Sequence, residues 1–312
     1  MNNPNDSWIC SRFYKEWHEH NSDISTNNPH DADVVWIIAP WKWFDIPLDI
    51  YANKYVICTI HHIATSKFHG KKLETFKSRD RFVNVYHVPC LKTKEQIEPY
   101  TTRPIHVIPF WVNNTNWYNI ENKTSLRSKF GIDPEAYLIG SFQRDTEGNS
   151  IANGSFIPKL EKGPDLFCDT VEIFHKAKGN VQVLLAGWRR QYVMKRLDES
   201  NIPYHYIELP DINIINELYN CLDLYIVAAR QEGGPQSIVE CASSETPIIS
   251  TNVGIAPRIL NSKSIFSYPE IAMEAIPDIE YALSKVKDLW IPGGFNKFKD
   301  LINMENINGR IS

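Results

Sequence analysis

Short apolar runs rich in β-branched residues recur along the first third of the chain, at 33–38, 55–60, 82–88 and 105–109, each bounded by polar or proline-containing segments. Apolar character that is continuous rather than alternating predicts strands buried on both faces. The stretches between them, such as 71–79 and 92–99, carry the polar content of helices or loops, so the order is strand then helix, repeated. That order predicts a mostly parallel sheet. A further strand is expected near 7–13.

After Pro109 the pattern breaks into a polar, Asn-rich stretch from Asn113 to Thr124, which has the composition of a connection. A second series follows, with strands predicted at 136–142, 181–186, 204–208, 222–228 and 247–250, and helices at 165–176, 189–199, 213–220 and 236–244. Val193, Met194 and Leu197 give the second of these helices an apolar stripe to lay on a sheet. Between 145 and 160 neither period holds, and a loop of that length inside a compact domain is functional or mobile. Beyond Trp290 one short helix is predicted, 296–304. The fold class expected is therefore α/β with two domains, 1–114 and 115–289, the segment 290–312 packing back on the first.

Composition narrows the partners. The 312 residues are 43% hydrophobic, enough for a core in each domain. With 33 Lys and Arg against 37 Asp and Glu the net charge is -4, so no global field favours nucleic acid. No run approaches the ~18 apolar residues of a spanning helix, and the opening MNNPNDSWIC lacks the basic-then-apolar order of a signal peptide. A cytoplasmic location is expected. The six cysteines show neither CxxC pairs nor His/Cys clustering at metal-ligand spacing, and read as reduced and buried.

The chemistry concentrates after the strand at 222–228, in Arg230-Gln231-Glu232-Gly233-Gly234-Pro235-Gln236-Ser237-Ile238-Val239-Glu240. A strand, a glycine turn and a helix start put backbone amides at the carboxyl edge of a parallel sheet, where such folds bind ligands. Gly233 and Gly234 let the backbone come close, and Pro235 suits a first helical turn. The amides of Gln236, Ser237 and Ile238, with the helix dipole, form an anion site that fits a diphosphate. Glu232 precedes the helix and Glu240 lies within it, so two carboxylates address different hydroxyl-bearing parts of one elongated ligand, a sugar and a ribose. An ordinary helix start with flanking acids is the alternative reading of these residues alone.

Glu232 and Glu240, with seven residues between them in E-x7-E spacing, resemble the motif of GT-B retaining glycosyltransferases of the group 1, or family 4, type. Cys241 to Gly254, Leu184-Leu185-Ala186-Gly187 and Tyr219 to Tyr225 fall in that family's order, with Thr246 where the family has Gly. The resemblance implies GT-B architecture, two Rossmann-like domains facing each other across a cleft, and transfer from a UDP-, GDP- or ADP-sugar to a glycan or lipid-linked acceptor. It implies retention of configuration and no cofactor or metal, and the sequence has no DxD placed after a strand. Gly140 to Arg144 and Lys162-Gly163 resemble the family's Gly-Arg and Lys-Gly pair, so Arg144 and Lys162 are the implied diphosphate cations, although Arg144 stands two positions late and 145–161 is inserted before Lys162.

In the N-terminal half, Tyr55 to His62 resembles the family's strand ending in a catalytic His, which points to His61, with His62 where an Asp is common. His62, Trp41 and Trp43 are candidate acceptor contacts, since aromatic faces stack on sugar rings. The implied catalytic set is His61, Glu232 and Lys162, with Gly233 and Gly234 beside the donor. Lys67, Lys71, Lys72, Lys77, Arg79 and Arg81 form a basic stretch that reads as a solvated helix face, or else attracts an anionic acceptor or the cytoplasmic membrane surface as a peripheral contact. Other readings are a catalytically inactive sugar- or nucleotide-binding protein, or an epimerase or phosphorylase of the same fold. Glu232, Glu240 and Lys162 together argue against the first, epimerases show a different acidic arrangement, and phosphorylases need a longer chain.

Overall fold

The computed structural model describes residues 9–308. They fall into two units, one running through Trp111 and resuming at Ile291, the other Val112–Trp290, against 114 and 289 from composition.

The first unit contains α1 (Ile9–His20), β1 (Val34–Ile37), α2 (Leu48–Ala52), β2 (Tyr55–Thr59), α3 (Lys71–Asp80), β3 (Val85–Val88), α4 (Leu91–Ile97) and β4 (Ile105–Val107). Its strands pair in parallel in the order β1-β2-β3-β4. Of the strand expected near 7–13, Ser7 and Trp8 lie outside the described residues, and from Ile9 onward the chain is helical instead. Cys10, Phe13 and Trp17, spaced three and four apart, are all buried, and this is a helical period that a reading ending at Phe13 cannot register.

Crossovers of one hand between successive strands put α2, α3 and α4 on one face. There Val35, Ile37, Val56, Cys58 and Val88 meet Ile50, Tyr51, Phe76 and Ile97. The alternate positions Ile57 and Val85 face the opposite layer, built from Phe13 and Trp17 of α1. A buried polar chain crosses this layer: the Trp36 indole donates to Thr59 Oγ1 at 2.9 Å, which lies 2.9 Å from His87 Nδ1, while His87 Nε2 donates to the Ile108 carbonyl at 2.7 Å. Burial holds the His87 pKa down to about 3, so it stays neutral.

The second unit contains α5 (Lys123–Lys129), β5 (Tyr137–Ser141), α6 (Pro164–Lys178), β6 (Val181–Ala186), α7 (Gln191–Glu199), β7 (Tyr204–Ile207), α8 (Ile212–Cys221), β8 (Leu224–Val227), α9 (Gln236–Ser243), β9 (Ile248–Thr251), α10 (Ala256–Ile259), β10 (Ile265–Phe266) and α11 (Ile279–Val286). All strands are parallel, in the order β10-β9-β8-β5-β6-β7. This is the doubly wound arrangement, and its order reverses between β5 and β8. Finally α12 (Asn296–Asn308) belongs to the first unit, where Phe295, Phe298 and Leu301 pack with Phe13, Trp17 and Trp111. The tail thus covers the sheet face that α2 to α4 leave open.

None of the six cysteines forms a disulfide, and all six are buried. Within the basic stretch Arg79 does not belong to a solvated face: it is buried and donates to the Pro40 carbonyl at 2.9 Å, while Lys71, Lys72 and Lys77 are exposed. Among the described residues no helix is long and apolar enough to cross a membrane.

Candidate functional site

The strand order β8-β5-β6 makes the carboxyl ends of these three strands neighbours, and the segments leaving them converge at the point where the order reverses. The segment after β8 is fixed from two sides. The amides of Arg230 and Gln231 both donate to the Glu161 carbonyl at 3.0 Å, and Thr251 Oγ1 donates to the Ala229 carbonyl at 2.6 Å. Gly254 sits so close that a β-carbon there would lie 2.4 Å from the Gly233 carbonyl oxygen. The Glu232-Gly233 turn is therefore held by main-chain contacts on both sides, before any ligand is considered.

The segment carrying Lys162 reaches the same turn. Its Nζ pairs with Glu232 Oε1, and the Lys162 carbonyl accepts from Gln143 Nε2 at 2.8 Å. Gly163 follows at φ +61°, in the left-handed region, and a β-carbon there would meet the Ala228 carbonyl oxygen at 1.9 Å. Only glycine lets the chain pass this near the end of β8. Gly163→Ala is accordingly expected to cost about 2 kcal/mol or more, from backbone strain and displacement of the strand end, measured as a fall in the denaturation midpoint. Two residues further on, Asp165 at the start of α6 takes a bidentate pair from Arg230 at 2.7 and 2.6 Å, tying the two segments again.

Burial, followed by the neighbouring Lys159 and Arg144 charges, pushes the Lys162 pKa down to about 7 against the opposing pull of Glu161. Arg144, half-buried, is itself pushed down by burial and by Arg189 beside it. Four cations thus influence one another around the exits of β5 and β6.

At the start of α9 the structure corrects one assignment. The Ile238 amide donates to the Pro235 carbonyl at 3.1 Å, so it is spent inside the first turn and drops out of the anion site expected from the sequence. Glu240 is buried within α9, where its Oε2 accepts from the Tyr219 hydroxyl at 2.9 Å. The Tyr219 ring lies against Phe142 and Tyr225 at centroid distances of 4.8 and 5.4 Å, and Tyr225 in turn accepts from the Phe142 amide. Glu232, Lys162 and the first turn of α9 are brought together in this unit, with Glu240 one helical turn deeper.

His61, in the other unit, donates from Nε2 to the Ile38 carbonyl at 2.8 Å, with Cys10 Sγ 3.5 Å away, and stacks on Phe110 at 5.5 Å. His62 beside it is half-buried. Trp41 is half exposed, with its ring 6.0 Å from that of His61. Trp43 is not available as an acceptor contact: it is 3% exposed and packed on Phe44, Tyr51 and Phe82 in the core, because the 3-10 turn Pro40–Asp45 aims alternate aromatics inward and outward.

Sequence reasoning missed Tyr219 and Arg189. A tyrosine on α8 gives no local sign that it will bond a carboxylate on α9. The Trp188-Arg189-Arg190 run directly after β6, on a strand end facing the ligand edge, was the one available signal for the second.

Residues 150–281 match the family model described as Glycosyl transferases group 1. The chain is similar to the lipopolysaccharide core biosynthesis mannosyltransferase LpsB of Rhizobium meliloti (strain 1021), 20% identical over 181 residues that cover 56% of this chain and 48% of LpsB. The match thus spans about half the length of that curated relative. Among solved structures, sucrose-phosphate synthase from Thermosynechococcus elongatus superposes with a TM-score of 0.68 at 11% identity, covering 95% of this chain and 77% of the synthase. Anabaena HepE in complex with UDP and glucose gives 0.67 at 13% identity, covering 90% and 78%.

Proposed function

We propose that this protein, a GT-B-fold glycosyltransferase of the group 1 type, moves a sugar from a nucleoside-diphosphate donor to a hydroxyl of a glycan or lipid-linked acceptor, with retention of configuration and without a metal ion. The observation that carries the reading is the Lys162–Glu232 pair beside the first turn of α9, at the strand-order reversal of the second unit. A fixed ammonium and helix-start amides stabilise the charge that a departing diphosphate develops, which is the work a metal does in other transferases.

In the proposed reaction the bond from the anomeric carbon to the diphosphate oxygen breaks, and its electron pair leaves with the diphosphate. The acceptor oxygen attacks the same face of the anomeric carbon, and its proton passes to the departing phosphate, so no protein base is required. Lys162, Arg144, Gly234, Gln236 and Ser237 grip the diphosphate. Glu232 and Gly233 contact the sugar, and Glu240 reaches the ribose. His61 acts on the transferred sugar, with His62 and Trp41 toward the acceptor. HepE, crystallised with UDP and glucose, makes UDP-sugars the first donors to try.

A thermal-shift screen against UDP, GDP and ADP, followed by assays for hydrolysis or transfer of the matching sugars, tests the donor. Glu240→Ala is expected to weaken nucleotide binding about tenfold, the loss of one charged hydrogen bond. Glu232→Ala is expected to lower turnover about tenfold or more while changing nucleotide affinity less. Equal, negligible effects of both would remove the site.

A further inference from the structure

We infer that Arg189 is a third cation gripping the donor diphosphate, beside Lys162 and Arg144, and that residues 145–158 of the insertion are the wall that holds its guanidinium in place. This rests on the donor reading above and adds a residue which the family pattern does not supply.

Three observations carry it. First, β5 and β6 pair in register from Tyr137 with Val181 to Ser141 with Leu185, so the segments leaving them run side by side at the ligand edge. The carbonyl of Arg189 accepts from the amides of Asp145 and Thr146 at 3.2 and 3.1 Å, while the Asp145 carbonyl accepts from the Lys159 amide at 2.7 Å. Arg144, Lys159 and Arg189 are thereby gathered around one residue. Second, the Arg189 guanidinium is boxed in. It lies 3.9 Å from the centroid of its neighbour Trp188, and a β-carbon on Gly148 would fall 2.0 Å from its Nη1. Third, Arg189 is held at φ +60°, a conformation unfavourable for a non-glycine residue that persists where surrounding contacts enforce it.

The loop is built to be firm. Glu147 donates its amide to the Ile157 carbonyl at 2.9 Å, Thr146 and Pro158 form a bridge, and the buried Arg190–Asp145 pair at 2.6 Å anchors its base. A guanidinium fixed in this way offers a planar fork matched to phosphate oxygens without first losing side-chain freedom. Its charge beside Arg144 is stabilised by whatever anion arrives between them.

Gly148 supplies a probe. Its backbone accepts alanine, and the three atoms nearest the added methyl all belong to the guanidinium of Arg189, so Gly148→Ala displaces that group. The test is calorimetric titration of UDP, GDP and ADP, each against its monophosphate, on the wild type, Gly148→Ala, Arg189→Ala, Arg189→Lys and the Gly148→Ala/Arg189→Ala double variant. For the tightest diphosphate, Arg189→Ala is expected to lose about ten- to a hundredfold in affinity, and Gly148→Ala most of that. Arg189→Lys should fall between them and the wild type, because it keeps charge but not the fork. The matching monophosphate should change less than about threefold, and the double variant should be no weaker than Arg189→Ala, since both changes act through one group. Unchanged diphosphate binding in Gly148→Ala and Arg189→Ala, equal losses for mono- and diphosphate, or additive losses in the double variant would overturn the inference. If Lys162→Ala abolishes binding while the Arg189 variants bind normally, this inference alone falls. A wild type that binds none of the three diphosphates brings down the donor reading with it.

Discussion

Lys162→Met is expected to slow sugar transfer by about 10²- to 10³-fold, the scale set by removing one preorganised charge from a developing anion. The pair it forms with Glu232 sets a second, opposite effect on stability. Burial holds the Lys162 pKa near 7, whereas an unfolded lysine titrates near ~10.4. Above both values neither state carries the charge and folding bears no penalty. As pH falls from the unfolded value toward 7, only the unfolded chain takes up the proton, so stability is lost across that window and the penalty is constant below it. Removing the ammonium alone relieves this penalty but strands the Glu232 carboxylate. The double variant Lys162→Met/Glu232→Gln removes both charges and should match or exceed the wild type in melting temperature at pH 7 while being inactive. Donor binding should show the same group from the other side. A nucleotide sugar has no phosphate proton that titrates near neutrality, and its diphosphate favours the protonated Lys162. Its Kd should be flat below pH 7 and rise by up to about tenfold per pH unit above, and in Lys162→Met the profile should be flat throughout. A wild-type profile as flat as the variant's would exclude Lys162 from the diphosphate.

What was legible in the sequence follows from which forces are local. Val181–Ala186 is one continuous apolar run because its strand is covered on both faces, and its limits can be read directly. β10, a pair of residues at Ile265–Phe266, is too short to show a period and went unread. The helix Ile9–His20 needs Trp17 to complete its stripe, and so a view confined to its first turn suggests a strand. At the candidate site, the E-x7-E motif singles out Glu232 and Glu240 by their spacing, whereas Lys162 follows an insertion and is marked by its Lys-Gly pair alone. Which first-turn amide is spent on Pro235 depends on the turn geometry, which no residue type encodes. Arg189 could not be placed beside Arg144 without knowing that β5 and β6 are sheet neighbours, because the two stand 45 positions apart in the chain. Trp43 and Trp41 are alike in composition and neighbourhood, and only the turn between them decides which one enters the core.

Arg190→Ala is expected to be the most destabilising single change in the second unit, at about 3–5 kcal/mol. The guanidinium is fully buried and donates to Asp145 Oδ2 at 2.6 Å, to the Ser141 carbonyl at 2.6 Å, to the Ala186 carbonyl at 3.2 Å and to Ser141 Oγ at 3.2 Å. Truncation leaves a cavity, and it leaves the carboxylate of Asp145, 2% exposed, with Thr146 Oγ1 at 2.6 Å but no counter-charge. Burial already raises the Asp145 pKa against the pull of Arg190, and without that pull it rises further. A raised folded-state pKa means that ionisation opposes folding once pH exceeds the unfolded value of ~3.9. The deficit of the variant relative to wild type should therefore be largest near neutrality and shrink as pH falls through that value, which urea denaturation at pH 7 and pH 4 can measure. The Arg190–Asp145 pair also carries the base of the loop 145–158, so its loss should reach the donor site. Amides of that loop bonded within it, those of Glu147 and Ile157, are expected to lose hydrogen-exchange protection, and nucleoside-diphosphate affinity should fall although Arg190 touches no ligand. If the variant unfolds at pH 7, Arg190→Met with Asp145→Asn, which removes both charges at similar volume, should recover much of the stability and leave the affinity loss visible. Normal loop protection together with normal diphosphate affinity in that double variant would show that the loop stands without its buried pair.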